Sequence, residues 1–107
     1  MQTLGRRLRE LRERNRISLR SLAARVRITA PYLSDIELDR RHPSDRVLID
    51  LARALHAPVE DLRQLDPKSL LMEIQKRILS DANYAFALRH VVDRCATAED
   101  LMQMIKR

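Results

Sequence analysis

Arginine dominates the chemistry available to the first half of this chain. Residues 1–60 carry 13 Arg and 8 acidic residues, a net charge of +5, whereas residues 61–107 carry 8 basic and 7 acidic residues, a net charge of +1. Guanidinium groups bind phosphate through paired hydrogen bonds. A basic excess confined to one half indicates either a polyanionic partner, with nucleic acid as the first candidate, or a solvated arginine-rich surface.

The residue types that form catalytic and metal sites are few and scattered. His42, His56 and His90 have no partners at ligand or triad spacing, and Cys95 is the only cysteine. One thiol cannot form an intrachain disulfide, and it supplies no zinc set with three dispersed histidines. The sequence also lacks a glycine-rich phosphate loop. We therefore expect no enzymatic activity, no metal and no cofactor.

Two short helices joined by a tight turn are predicted over residues 19–37, LRSLAARVRITAPYLSDIE. Ser18 and Thr29 precede them as N-caps, because a hydroxyl accepts a backbone N–H that the first turn leaves unpaired. Apolar residues at helical spacing give each helix one buried stripe: Leu22, Ala23, Val26, Ile28, Leu33 and Ile36. The second helix keeps a short polar face exposed, suited to entering a groove: Ala30, Pro31, Tyr32, Ser34 and Asp35.

Amphipathic helices are predicted on both sides of this pair. A first helix spans 3–15 with Thr3 as its cap, a fourth spans 45–56 behind Ser44, and a short fifth opens at Pro58. Beyond Asp66 and Pro67, three more helices run to about 79, from 82 to 95, and from a capping box at 97–100. One Gly, four Pro and helical spacing almost throughout favour an all-α fold.

The segment 19–37, together with the RRHPS that follows it, resembles the helix-turn-helix of the Cro/CI-type (Xre) DNA-binding repressors. The resemblance covers about residues 4–65. It implies a five-helix, lambda repressor-like DNA-binding domain over 1–65, followed by a helical extension over 66–107. It further implies sequence-specific binding of double-stranded DNA, with helix 30–37 in the major groove. With no signal peptide and no apolar run of membrane-spanning length, we expect a cytoplasmic protein of bacterial or phage origin.

The resemblance also implies roles for individual residues. The expected contacts to base edges come from Ala30, Pro31, Tyr32, Ser34 and Asp35, and the carboxylate of Asp35 suits the exocyclic amine of cytosine. The expected phosphate contacts come from Arg20, Thr29, Arg40 and Arg41. In the family, an Arg late in the first helix commonly pairs with the Glu that ends the recognition helix, and the matching residues are Arg12 and Glu37.

Two positions depart from the family pattern. A glycine is usual in the turn between the two motif helices, where this chain has Arg27, and after the recognition helix, where it has Asp39. Aspartate tolerates the left-handed backbone that such positions favour, at some cost. For Arg27, either the turn avoids a positive φ or the backbone there is strained.

The extension over 66–107 is too apolar to be a linker, and three short helices bury their stripes poorly by themselves. Three roles stay open for it: extra core, a homodimer interface, or a surface for another protein. We expect a homodimeric repressor that reads two half-sites about one helical turn, roughly 34 Å, apart. The extension weakly resembles antitoxins and small repressors encoded beside ImmA/IrrE-type metalloproteases. The alternative is therefore an antitoxin-type protein that neutralises a toxin, or answers to such a protease, through its C-terminal helices.

Overall fold

The computed structural model describes residues 2–106, which contain eight α-helices and no β-strand. The helices are α1 (Leu4–Arg14), α2 (Leu19–Arg25), α3 (Ala30–Glu37), α4 (Asp45–Ala54), α5 (Val59–Arg63), α6 (Pro67–Ser80), α7 (Ala82–Arg94) and α8 (Ala98–Ile105). The predicted all-α fold is confirmed. The chain divides into two compact units, one ending at Leu70 and the other beginning at Leu71.

Hydroxyl caps start the first four helices. The hydroxyl oxygen of Thr3 accepts from the N–H of Arg6 at 3.2 Å. The hydroxyl oxygens of Ser18, Thr29 and Ser44 likewise accept from the N–H three residues later, at 3.1, 3.2 and 3.3 Å. These predicted caps are confirmed. The bounds of five helices differ from the predicted ones by one or two residues: α1 is 4–14, α4 ends at 54, α5 begins at 59, α6 ends at 80 and α7 ends at 94.

The same helices end in one recurring motif, with a left-handed residue after the C-cap. The four residues with positive φ are Arg16 (53°), Arg27 (57°), Asp39 (60°) and His56 (55°). At each, the N–H of the left-handed residue and the N–H of the residue after it donate to carbonyls of the preceding helix. Arg27 and Ile28, for example, donate to Ala24 and Ala23 at 3.2 and 3.0 Å. The φ of Arg27 is therefore positive, so of the two alternatives for this residue the structure shows the strained backbone. The left-handed Arg16 and His56 were not predicted.

The core of the first unit is formed by one face of each helix from α1 to α5. It comprises Leu4, Leu8, Leu11, Leu22, Ala23, Val26, Leu33, Ile36, Val47, Leu48, Leu51, Ala52, Leu55 and Leu62. Helix α3 packs against α1 and α2, and α4 packs against α2 and α5. Ile17 and Ile28 are only partly buried and pack on the edge of this core. The core thus fixes the inner face of α3.

The second unit has no comparable core. No residue described in 71–106 is buried, although the three helices carry many large apolar side chains. The most exposed are Leu79, Phe86 and Ile105, at 87%, 67% and 75% of their full accessibility. The side chains of Ile78, Ala85, Leu88, Arg89 and Val92 line a shallow groove of about 450 Å³. Among residues 2–106, none of the helices is both long and apolar enough to cross a membrane.

Candidate nucleic-acid interface

An ion pair holds the C-terminal end of α3 against α1. The guanidinium of Arg12 donates to both carboxylate oxygens of Glu37, with Nε–Oε2 at 2.8 Å and Nη2–Oε1 at 3.1 Å. Its remaining nitrogen donates to the carbonyl of Ile17 at 3.0 Å. The hydrogen bond that Arg12 donates to Glu37 raises the pKa of Arg12 above its usual value, although burial opposes this. The predicted pair is present, and its two-pronged geometry fixes the angle between the helices.

A second tie joins the start of α1 to the residue that follows α3. The carboxylate of Asp39 accepts from the N–H of Gly5 at 3.0 Å and from the hydroxyl of Thr3 at 2.6 Å. It therefore satisfies a donor that the first turn of α1 leaves free, and it places negative charge at the positive end of that helix. Sequence reasoning missed this contact, because Gly5 and Thr3 lie 34 and 36 residues before Asp39 in the chain.

Gly5 allows this approach of α1 to α3. A Cβ atom there would lie 2.5 Å from the carbonyl oxygen of Glu37 and 2.6 Å from that of Ile36. These two are backbone atoms, which cannot rotate away, and the third near atom is the carboxylate oxygen of Asp39 at 2.7 Å. The available sequence signal was the chain's only glycine inside a predicted helix, where glycine is otherwise unfavourable.

The outer face of α3 is less open than predicted. Pro31 is exposed, but Ala30, Tyr32, Ser34 and Asp35 are half-buried. Ala30 and Tyr32 pack against the edge of the core. The expectation that all five side chains remain exposed was therefore wrong, because the short helix lies close enough to the core for its flanks to be covered.

The four residues predicted to contact phosphate are all exposed: Arg20, Thr29, Arg40 and Arg41. No carboxylate within residues 2–106 forms an ion pair with the three arginines. Thr29 uses its oxygen to accept from the N–H of Tyr32, which leaves its hydroxyl hydrogen able to donate. Arg40 and Arg41 thus follow the C-terminal end of α3, and Arg20 lies in α2, the helix that packs against α3.

Arg41 also makes a contact that the sequence did not reveal. Its guanidinium carbon lies 4.8 Å from the centre of the Tyr32 ring. At this distance the cation is attracted to the face of the ring, an interaction worth about 0.5–1 kcal/mol at an exposed site. The stack links the loop after α3 to the first turn of that helix, so a predicted phosphate contact and a predicted base contact are neighbours.

The histidines form no site. In the part of the chain that the structure describes, no group of three or more His, Cys, Asp and Glu side chains could hold a metal ion. The Nδ1 atom of His42 lies 3.9 Å from the buried carboxylate of Asp66, which accepts from the N–H of Lys68 at 3.0 Å. His90 is exposed and meets the Phe86 ring edge-on at 4.7 Å.

Comparison with known proteins identifies the class to which this geometry belongs. A family model described as a helix-turn-helix domain matches residues 3–65. The chain belongs to the helix-turn-helix family of the Xre (Cro/CI) type.

Curated relatives of this Xre-type protein are transcriptional regulators. It is 43% identical over 56 residues to the HTH-type transcriptional regulator DdrOP3 of Deinococcus deserti. This match covers 52% of the chain and 43% of the relative. It is 42% identical over 55 residues to the uncharacterized HTH-type transcriptional regulator Rv0474 of Mycobacterium tuberculosis. This match covers 51% of the chain and 39% of the relative. The matches thus span about two fifths of the length of these relatives.

Solved structures of regulators share the fold. The clp gene regulator ClgR from Corynebacterium glutamicum has a TM-score of 0.55 at 31% identity, covering 72% of this chain and 82% of its own. SinR, from a SinR/SinI complex, has a TM-score of 0.55 at 22% identity, and the match covers 97% of this chain and 92% of SinR. At this identity, the likeness concerns the fold alone. The Cro/CI-like fold that the sequence predicted is confirmed for this Xre-type protein.

Proposed function

We propose that this protein is a transcriptional repressor that binds its operator as a homodimer, with α3 of each copy in the major groove. The observation that carries the proposal is the two-sided character of α3. Arg12 and Asp39 tie its inner side to α1, while Arg20 of α2 and Arg40 and Arg41 of the following loop are exposed. None of these three arginines forms an ion pair with a carboxylate within residues 2–106. A rigid helix with exposed cations on the neighbouring helix and loop suits a groove bordered by phosphates.

The outer residues divide by chemistry. Ser34 and Asp35 offer hydrogen-bonding groups to base edges, and Asp35 would accept from the amine of cytosine. Pro31 and Ala30 offer apolar contact at the start of α3. Tyr32, held beneath Arg41, would lie between the base edges and the backbone. The phosphates would be held by Arg20, Thr29, Arg40 and Arg41.

The second unit supports the homodimer. Its helices expose Leu79, Phe86 and Ile105 and bury none of the residues described in 71–106. Short helices without a core need a partner surface to stay folded. A second copy of the chain supplies a matching apolar surface, and residues 61–107 carry a net charge of only +1, so repulsion between copies would be weak. Joining two copies would also make the second half-site contact intramolecular and raise affinity.

Truncation tests the proposal. DNA selected from a random pool by the full chain should contain two half-sites about one helical turn apart. In sedimentation the full chain should be a dimer, and a chain ending at Asp66 should be a folded monomer. The shortened chain should bind a single half-site as well as the full chain does, and the complete operator much more weakly. A dimeric shortened chain would place the interface among α1–α5, and selected DNA without paired half-sites would contradict dimeric recognition.

The same apolar surface supports one alternative. SinR, which shares the fold, was solved in a complex with a second protein, SinI. If the full chain is monomeric in sedimentation, we would infer that residues 66–107 bind a different protein. A toxin or an ImmA/IrrE-type metalloprotease would then be the partner to test, with DNA binding retained by the first unit.

A further inference from the structure

A cleft lined by arginines lies beside the turn between α2 and α3. It has a volume of about 330 Å³, and its walls come from the end of α2, the turn and one face of α4. The lining residues are Arg25, Val26, Arg27, Arg46, Asp50, Arg53 and Ala54. Four guanidinium groups thus share a cleft with one carboxylate.

The charges in this arginine cleft are poorly compensated. Arg46 approaches Asp50 with Nη1–Oδ2 at 3.7 Å, which is longer than a hydrogen bond. No carboxylate in residues 2–106 forms an ion pair with Arg25, Arg27 or Arg53. Like charges gathered around a concave surface repel one another and concentrate positive potential there. An anion with several oxygens would relieve that repulsion and accept paired hydrogen bonds.

Arg27 occupies its place at a conformational cost. Its φ of 57° lies in the left-handed region, where glycine would be free of strain. Strain by itself does not indicate a function, because Arg16 has nearly the same φ of 53°. What distinguishes Arg27 is that it lines the cleft, whereas Arg16 does not. Observed strain at a residue that lines a charged cleft is a reason to look for a ligand.

The position of the cleft points to the ligand. Arg27 lies two residues before Thr29, the N-cap of α3. The N-terminal end of α3 is where the proposed function places a phosphate. We propose that Arg25, Arg27, Arg46 and Arg53 bind phosphates of the DNA backbone that flank the groove entered by α3. This inference rests on the proposed function and adds a sequence-independent site to it.

The test uses the full chain and Arg27→Gly, which removes the charge and the strain together. The melting temperature should rise, because glycine adopts the left-handed conformation freely. Affinity for the selected operator should nevertheless fall, and the slope of log K against log salt should flatten by about 0.9 for the lost phosphate contact. Adding Arg25→Ala and Arg53→Ala should flatten it by about 2.7 in total. Arg27→Lys, which keeps the charge, should retain the wild-type slope.

Two control variants separate strain from charge. Arg16→Gly relieves the same backbone conformation outside the cleft and should raise the melting temperature in the same way. Arg9→Ala removes an exposed arginine of α1 that is paired with Glu13 at 3.1 Å, and should leave the salt slope unchanged. An Arg27→Gly protein with the wild-type slope would overturn the proposal, whatever its stability.

Trimming the DNA identifies the source of the phosphate. On an operator with a further turn of duplex on each side, wild type and Arg27→Gly should differ, and cutting the duplex back to its contacted bases should reduce that difference as flanking phosphates are removed. Equal behaviour on both DNAs, with inorganic phosphate shifting the arginine NMR signals of wild type alone, would assign the cleft to a free anion and overturn the DNA assignment. If wild type binds no selected DNA, the proposed function fails first; if it binds with unchanged slopes in every variant, only the cleft proposal fails.

Discussion

Replacing Arg12 by alanine tests whether the ion pair to Glu37 holds α3 in place. The Glu37 side chain is only 6% exposed, and Arg12 donates one hydrogen bond to each of its two carboxylate oxygens. Without Arg12 the buried charge loses its partner, and the carbonyl of Ile17 loses a donor. Breaking a buried pair in this way costs about 3–5 kcal/mol. Because the Arg12 side chain is itself 15% exposed, we expect the lower end, about 3 kcal/mol.

Urea unfolding measures this loss, provided that the slope of free energy against urea concentration is unchanged. The matched control is Arg9→Ala on the same helix. The Arg9–Glu13 pair has a similar separation of 3.1 Å, but both side chains are 59% exposed, so its loss should cost at most about 0.5 kcal/mol. Replacing Arg12 by Met and Glu37 by Leu together should recover part of the lost stability, since no buried charge remains. Equal losses for Arg12→Ala and Arg9→Ala would refute the reasoning.

Three further variants test the fold and the interface. Gly5→Ala should destabilise by about 1–3 kcal/mol in thermal unfolding, because the new Cβ would sit 2.5 Å from a backbone oxygen; a neutral result would mean that α1 shifts freely. Arg40→Ala with Arg41→Ala should weaken binding to all DNA sequences alike and flatten the salt slope by about 1.8, and an unchanged slope would exclude both from the interface. Asp35→Asn should change the preferred sequence in a DNA selection, by ~1–3 kcal/mol of discrimination; tighter binding with the same preference would show that Asp35 only repels phosphates.

Helix beginnings were predictable from the sequence because their signals are local. A hydroxyl cap bonds to an N–H only three residues away, so Ser18, Thr29 and Ser44 reveal their helices without any tertiary information. Periodic apolar residues then identify the buried face of each helix. The Arg12–Glu37 pair joins residues 25 apart, and it was predictable only through the family resemblance.

Helix ends and cross-helix contacts were harder to predict. The usual end signal is a glycine, and none of the four left-handed positions that follow α1–α4 carries one. The Arg41–Tyr32 stack and the arginine cleft depend on how side chains from different elements meet in space. Periodicity shows which face of a helix is polar, but it does not show which distant charges share that face.

Arg27 and Asp39 stand at the two positions where the family usually has glycine, and the structure indicates opposite consequences of restoring it. Both have nearly the same φ, 57° and 60°, so glycine would remove a similar strain from each. Asp39, however, accepts from Gly5 and Thr3, and glycine would leave the first turn of α1 without that acceptor. We therefore expect Asp39→Gly to lower the melting temperature and Arg27→Gly to raise it. Stabilisation by both substitutions would mean that the Asp39 bonds contribute less than the strain they accompany.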